Sequence, residues 1–364
     1  MFTKAETAWV KGIGILLLLF HHLFYNVDFV EKTKMEFLFL SEDRIQPVAV
    51  MARVCVWLFV FLSAYGLSLQ YQKRGEGANS ESTLQFLIRR WFSLMKAFWP
   101  VYVFVFFGYW IVRGNPMRVY ENSVIRMIAD VFAVSDFFQT GLLSGVWWYM
   151  CLAQIIVLLI PLIDSLCERL GMAVVPIGFL LLQFIPDSIH SKYGGSYLNY
   201  FLVILLAAAC AKGDVLNKLM SRKMKHGKWS EVVFAAVLFL GAAGLLVLRF
   251  SISQNELWQI CGLLSALAAF LIIVLVGRYF KAHVISAPLE FLGKHSGNMF
   301  MAHAFFYGPC FTLVFWSHNA ILSYVTLLVM SLAFSIAIEV IKKWSRYNEW
   351  MATVTNRVTS KLHA

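Results

Sequence analysis

Hydrophobic residues arrive in long runs along this chain, separated by short polar stretches. Ten apolar segments approach or reach the length needed to cross a hydrocarbon core: residues 7–27, 47–71, 91–112, 146–164, 172–186, 197–213, 231–249, 257–277, 297–316 and 319–341. The fifth and sixth are short. The pattern predicts an all-α fold, a polytopic membrane helix bundle of about ten transmembrane helices. The longest polar gaps, residues 72–90 and 113–145, are too short to build a core of their own. Residues 1–345 are therefore read as one transmembrane domain and 346–364 as a short cytoplasmic tail. Within the first gap QKRGEGANSEST reads as a flexible loop, and within the second ENSVIRMIADVFAVSDFF, residues 121–138, has helical apolar spacing broken by Asp130 and Asp136. That pattern predicts an interfacial helix on the outer face, placed to act as a lid.

Composition sharpens the class. Of the 364 residues 60% are hydrophobic and only 14% charged, with mean hydropathy +0.70, outside the soluble range. The net charge of +11 does not point to nucleic acid, because the basic residues alternate with the spans instead of forming one patch. A cytoplasmic N-terminus places Lys73, Arg74, Arg89, Arg90, Arg169, Lys212, Lys218, Arg222, Lys223, Lys225, Lys228, Arg278 and Lys281 inside, with the basic tail. Both termini are then cytoplasmic. The first apolar run follows Lys4 and Lys11 like a signal peptide, but no small-x-small cleavage site follows it and His21-His22 interrupts it, so it is read as a retained helix. Six cysteines lie in or beside apolar segments without CxxC pairing, which suggests packing and not a metal or a disulfide framework.

The polar residues inside the spans are the candidates for chemistry. Lys11 and His22 are eleven residues apart, about three helical turns plus 20°, so they share one face about 16 Å apart along the axis. Ionisable groups at that depth mark a site or pathway, with His22 able to take a proton from a hydroxyl or carry an acyl group and Lys11 able to hold an anion. The competing reading has Lys11 snorkelling to the interface and the histidines bonding between helices. His21 points about 100° away from His22. In GKHSGNMFMAHAFFY, residues 293–307, Ser296 and His303 return to one face; their plain alternatives are an N-cap and a core hydrogen bond. Arg89, Arg90 and Lys96 precede Pro100 at the cytoplasmic start of the third span, as phosphate ligands or as ordinary anchors. Ser63 and Tyr65 interrupt the apolar FLSAYGL, and Trp147 opens the fourth span, as an interfacial belt or a sugar-stacking ring.

Together these residues resemble the acyltransferase family 3 membrane proteins, bacterial enzymes of about ten spans that O-acylate cell-surface and secreted glycans. Lys11 and His22 meet that family's basic residue, ten intervening positions, then histidine. FLSAYGL is similar to its Phe-x-x-Ser-Gly-Tyr pattern, VWWYMCLAQIIVLLIPLI to its Trp-rich fourth span, and LGKHSGNMFMAH to its late Leu-Gly-Lys-x-Ser segment followed by a histidine. Lys11 stands where arginine is commoner, Ala64 where glycine is usual, and the third-span Arg-x-x-Arg pattern is not kept.

The resemblance implies a membrane O-acyltransferase of the bacterial inner membrane that moves an acyl group from cytoplasmic acetyl-CoA, or a related acyl-CoA, to a glycan or lipid-linked glycan, without a metal. In it His22 and Lys11 are catalytic, Arg89, Arg90 and Lys96 face the CoA phosphates, and Ser63, Tyr65, Trp147, Ser296 and His303 line the substrate site. The chain stops after the tenth span without the extracytoplasmic SGNH-type domain of some relatives, which implies a stand-alone enzyme or one with a separate extracytoplasmic partner protein. The rival readings are a transporter or flippase of a lipid-linked glycan, and a non-catalytic membrane subunit of a glycan-synthesis complex.

Overall fold

A computed structural model describes residues 2–37, 41–75, 81–193, 195, 197–222, 227–252 and 257–362. Residues 76–80 of the Gly- and Ser-containing loop, and Lys223 and Lys225 of the basic loop, lie outside the described residues. Among the described residues the chain is helical with no named strand. The helices used below are α1 (Lys4–Phe24), α2 (Val54–Gln72), α3 (Thr83–Arg113), α4 (Val124–Val131), α5 (Trp148–Leu170) and α6 (Phe201–Lys212). They continue with α7 (Gly227–Ser251), α8 (Trp258–Tyr279), α9 (His283–Tyr307), α10 (Ala320–Trp344) and α11 (Tyr347–Ser360).

Seven described stretches are long and apolar enough to cross a membrane, and up to eight if the bent pair Asp187–Tyr193 and Leu198–Lys212 is one span. The fourth and fifth apolar segments run together as Trp148–Leu182. The ninth differs from the apolar run in the sequence: α9 begins at His283 and ends at Tyr307, short of residue 316. Gly308-Pro309 explains the stop, because a proline disfavours helical geometry at the residue before it and has no amide to donate. The stretch after residue 345 forms α11, set off from α10 by the left-handed Arg346 (φ 54°).

The chain divides into two compact units. Unit 1 comprises Met1–Tyr25, Asp43–Gln72 and Leu159–Lys294. In it α1 opens with a reciprocal cap: Glu6 N–H donates to Thr3 Oγ1 at 3.1 Å and Thr3 N–H donates to Glu6 Oε2 at 2.6 Å. α1 then packs on α2, where Phe2 meets Tyr65 edge-on and the Phe59 ring lies over Gly14. α6 is buried along most of its length, as is much of α8. Arg278 locks the far end of α8, donating to Glu231 of α7 at 2.6 Å and to the carbonyls of Leu219 and Arg222.

Unit 2 comprises Asn26–Glu42, Lys73–Leu158 and His295–Ala364. Here α3 begins with a Ser82–Gln85 cap like that of α1, and Gln85 Nε2 also donates to the Thr359 carbonyl of α11 at 3.2 Å. Of the helical pattern expected over 121–138, residues Val124–Val131 form α4, which exposes Val124, Ile125 and Ile128 on one side and buries Asp130 on the other.

Candidate functional site

In unit 1, α1 is unbroken from Lys4 to Phe24, so Lys11 and His22 lie on one face about 16 Å apart. Both are half-buried although they point into the buried stripe of Ile15, Leu18 and Leu19, while Trp9, Ile13, Leu16 and Phe20 form the opposite, half-exposed side. His21 is engaged elsewhere. Its Nδ1 lies 2.7 Å from the Ala49 carbonyl, a geometry in which the ring N–H donates, and its ring stacks on Tyr25 at 4.6 Å. The two histidine rings touch edge to face at 5.1 Å.

α2 runs antiparallel to α1, as the contacts of Phe2 with Tyr65 and of Gly14 with Phe59 show, and this places Tyr65 at the opposite end from His22. Tyr65 is buried, with Phe2 at 5.9 Å and Phe61 at 6.1 Å; Ser63 is half-buried two residues earlier. The structure therefore brings Tyr65 to the Lys11 half of α1 and leaves His22 at the other. Close to Tyr65 in sequence, Ser68 and Gln72 donate to Asp164 Oδ1 at 3.2 and 2.7 Å, and Lys212 Nζ lies 3.5 Å from Asp164 Oδ2. This network ties α2, α5 and α6 together. Its members are scattered over about 150 residues of sequence, so no local motif announces it.

In unit 2 the three basic candidates part company. Arg89 pairs with Glu81 at 3.2 Å, Arg90 lies over the Phe86 ring at 5.2 Å, and Lys96 returns to the Arg89 face two turns later. Ser296 is not an N-cap: it sits well inside α9 and is 3% exposed. Trp147 is neither a belt residue nor open to a sugar face. It is 1% exposed, donates Nε1–H to the Met301 carbonyl at 2.9 Å and packs on Phe98 and Tyr102. His303 is fully buried, with Nδ1 2.7 Å from the Phe300 carbonyl. One residue further on, Ala304 lines a 480 Å³ cavity shared with Tyr109, Arg113, Ser144, Tyr307 and Pro309. Arg113 Nη2 donates to the Gly308 carbonyl at its edge, and Ser144 Oγ is buried without a partner among the described residues. A mouth of this size lined by two tyrosines, an arginine and a hydroxyl fits a small polar ligand. Deeper in α9, Asn298 donates to Ser335 and Glu339 of α10, His295 meets the same Ser335 at 2.9 Å, and Lys342 donates to Glu339.

Asp130 holds the loop beside that cavity. Its Oδ2 accepts from Tyr120 O–H at 2.7 Å and from Leu143 N–H at 3.0 Å, while Tyr120 also meets Tyr102. Burial pushes the carboxyl from 3.8 up to about 6, and the two donors oppose only part of that rise. The folded state thus holds the proton more tightly than the unfolded one. Its contribution to stability is complete below about pH 4 and is lost as pH rises through about 6, by about 3 kcal/mol for a two-unit shift. Asp130→Asn is expected to remove that dependence: hydrogen exchange across residues 124–143 should slow on acidification from pH 7 to pH 4 in the parent, after correction for intrinsic rates, and stay level in the variant. A parent with no such change would refute the assignment.

The model of the acyltransferase 3 family, described as an acyltransferase domain, matches residues 7–340. No curated protein and no solved structure matches the chain.

Proposed function

Because the chain belongs to the acyltransferase 3 family and is a multi-pass membrane acyltransferase, we propose that it is an O-acyltransferase, acetyl-CoA or a related cytoplasmic acyl-CoA being the donor and a hydroxyl of a cell-surface or secreted glycan the acceptor. One observation carries this reading: Lys11 and His22 share one face of an unbroken, apolar helix, and both remain half-buried where the residues around them are sealed.

The chemistry balances on a single histidine. His22 takes the proton of the acceptor hydroxyl as its oxygen attacks the thioester carbon. The C–S bond breaks, the ester forms, and the thiolate leaves with the proton returned by the imidazolium, so free CoA is the second product. If His22 instead carries the acyl group transiently, the same bonds are exchanged in two steps. Lys11 lies too far along α1 to touch the reacting oxygen at the same time, about 16 Å. Its part is to orient the donor or hold its charge, in the half of α1 where Tyr65 and Ser63 also lie. Taken by itself, unit 2 offers Lys96, which among the described residues has neither an ion pair nor a ring contact, and a cavity by Tyr109, Arg113, Ser144 and Tyr307 suited to a small hydroxyl-bearing ligand. The charge pattern of the loops supports both termini being cytoplasmic, and the family resemblance favours the bacterial inner membrane.

The test is transfer of label. Membranes holding the protein are incubated with radiolabelled acetyl-CoA and host envelope glycans, and label in the glycan supports the proposal. No transfer from folded protein, with other acyl donors and glycan pools also tried, would turn the reading to a lipid-linked glycan transporter or a non-catalytic subunit.

A further inference from the structure

α7 exposes most of its side chains. Of its 25 residues only Leu238, Ala242 and Arg249 are buried, and their spacing of four and eleven puts them on one stripe. An arginine two residues from the end of a span ordinarily snorkels to the interface. Arg249 is instead 3% exposed, with its guanidinium 5.4 Å above the Trp57 ring. Trp57 in turn packs on Tyr200 at 4.7 Å, and the guanidinium of Arg53 faces the hydroxyl of that tyrosine. The two arginines lie near enough to repel, and both act on His21, whose ring touches His22.

A buried cation beside a half-buried one needs a compensating anion. Among the described residues no carboxylate pairs with either arginine, and Arg249 Nε, Arg249 Nη1 and Trp57 Nε1 are buried donors without an acceptor. A set made of donors and positive charge has one fitting ligand chemistry. A metal ion is repelled, and a neutral sugar hydroxyl leaves the positive charge uncompensated. An oxyanion supplies acceptors and the missing charge together.

We propose that this end of unit 1 binds an oxyanion carried by the acyl acceptor, a phosphate or a carboxylate, on Arg249 and Trp57 with Arg53 adding charge, beside the His21–His22 pair. The inference rests on the acyl-transfer reading and narrows its acceptor to glycans that bear an acidic group.

The experiment reads binding without turnover. The full chain in phosphatidylcholine nanodiscs is titrated with inorganic pyrophosphate and, separately, with glucuronate, and the thermal midpoint is compared with chloride at equal ionic strength. At least one probe should stabilise the parent, with an apparent Kd weakened tenfold or more in Arg249→Gln and less in Arg249→Lys. Which probe works separates a phosphate-bearing from a carboxylate-bearing acceptor. Should Arg249→Gln fail to fold, Trp57→Phe keeps an aromatic face, removes one donor and should weaken the same probe several-fold. Equal shifts in parent and variants, or none beyond chloride, would overturn the proposal. So would Arg249-dependent stabilisation by phosphatidylglycerol discs with neither soluble probe active, which would assign the place to a lipid headgroup. His22→Ala should bind the probe as the parent does. Probe binding in a protein that transfers no acyl group would defeat the acyl-transfer reading and leave the anion site standing.

Discussion

Replacing His22 by alanine is expected to lower acyl transfer by roughly 10²- to 10⁴-fold, the usual contribution of a positioned general base, and to leave the fold intact. The expectation follows from where the side chain lies. His22 is half-buried near the end of α1, whereas its neighbour His21 is buried, bonded to the Ala49 carbonyl and stacked on Tyr25. His21→Ala should therefore act through packing, lowering the unfolding midpoint along with activity. Lys11→Ala should raise KM for the acyl-CoA more than it lowers kcat, since its charge sits about 16 Å from His22 along the axis. Single-turnover transfer from labelled acetyl-CoA, set beside detergent-solubilised melting curves, separates the three variants. A His22→Ala protein that keeps more than a tenth of the parent rate would remove the histidine from the chemistry.

The sequence made some of this legible and hid the rest for a physical reason. Hydropathy finds α1, α2, α3, α5, α7, α8 and α10, because each backbone polar group in lipid must be satisfied inside its own helix. Helix periodicity then puts Lys11 and His22 on one face with no tertiary information. It fails where the answer depends on which face meets protein and which meets lipid, since both surroundings are apolar. Trp147 looks like a belt residue but points inward to Met301. Ser296 resembles a cap because GKHSG is polar, yet α9 had already run from His283. Arg249, two residues from the end of α7, has the position of an interfacial anchor and is enclosed, and Asp130 reads as a break in an apolar pattern while it holds Tyr120 and Leu143. The Asp164 network joins residues from three helices, so no window of sequence contains it.

Gly293→Val is expected to be the most damaging single change in unit 1 outside the proposed chemistry. At Gly293 a Cβ would stand 1.9 Å from the Ala8 carbonyl oxygen, and at Gly12 a Cβ would stand 2.3 Å from that of Leu289. Both obstacles are backbone, so no rotamer change relieves them, and α1 must move away from α9. Overpacking commonly costs about 1–3 kcal/mol when side chains give way, and a rigid backbone partner places this case at or above the top of that range. Helix propensity works the other way, because valine is a better helix residue than glycine by a few tenths of a kcal/mol. A loss of stability must then come from the lost approach of the two helices. Gly297, one turn further along α9, has nothing within 4 Å of its Cβ position, so Gly297→Val is the matched control. Fluorescence-detected size exclusion and melting should show Gly293→Val dispersed or sharply destabilised, Gly12→Val similarly, and Gly297→Val close to the parent. Because Lys11 precedes Gly12, the damaged variants should also lose transfer, but in proportion to folded protein, in contrast to His22→Ala, which should be folded and inactive. A monodisperse, active Gly293→Val protein would mean that α1 is not held against α9 by this contact.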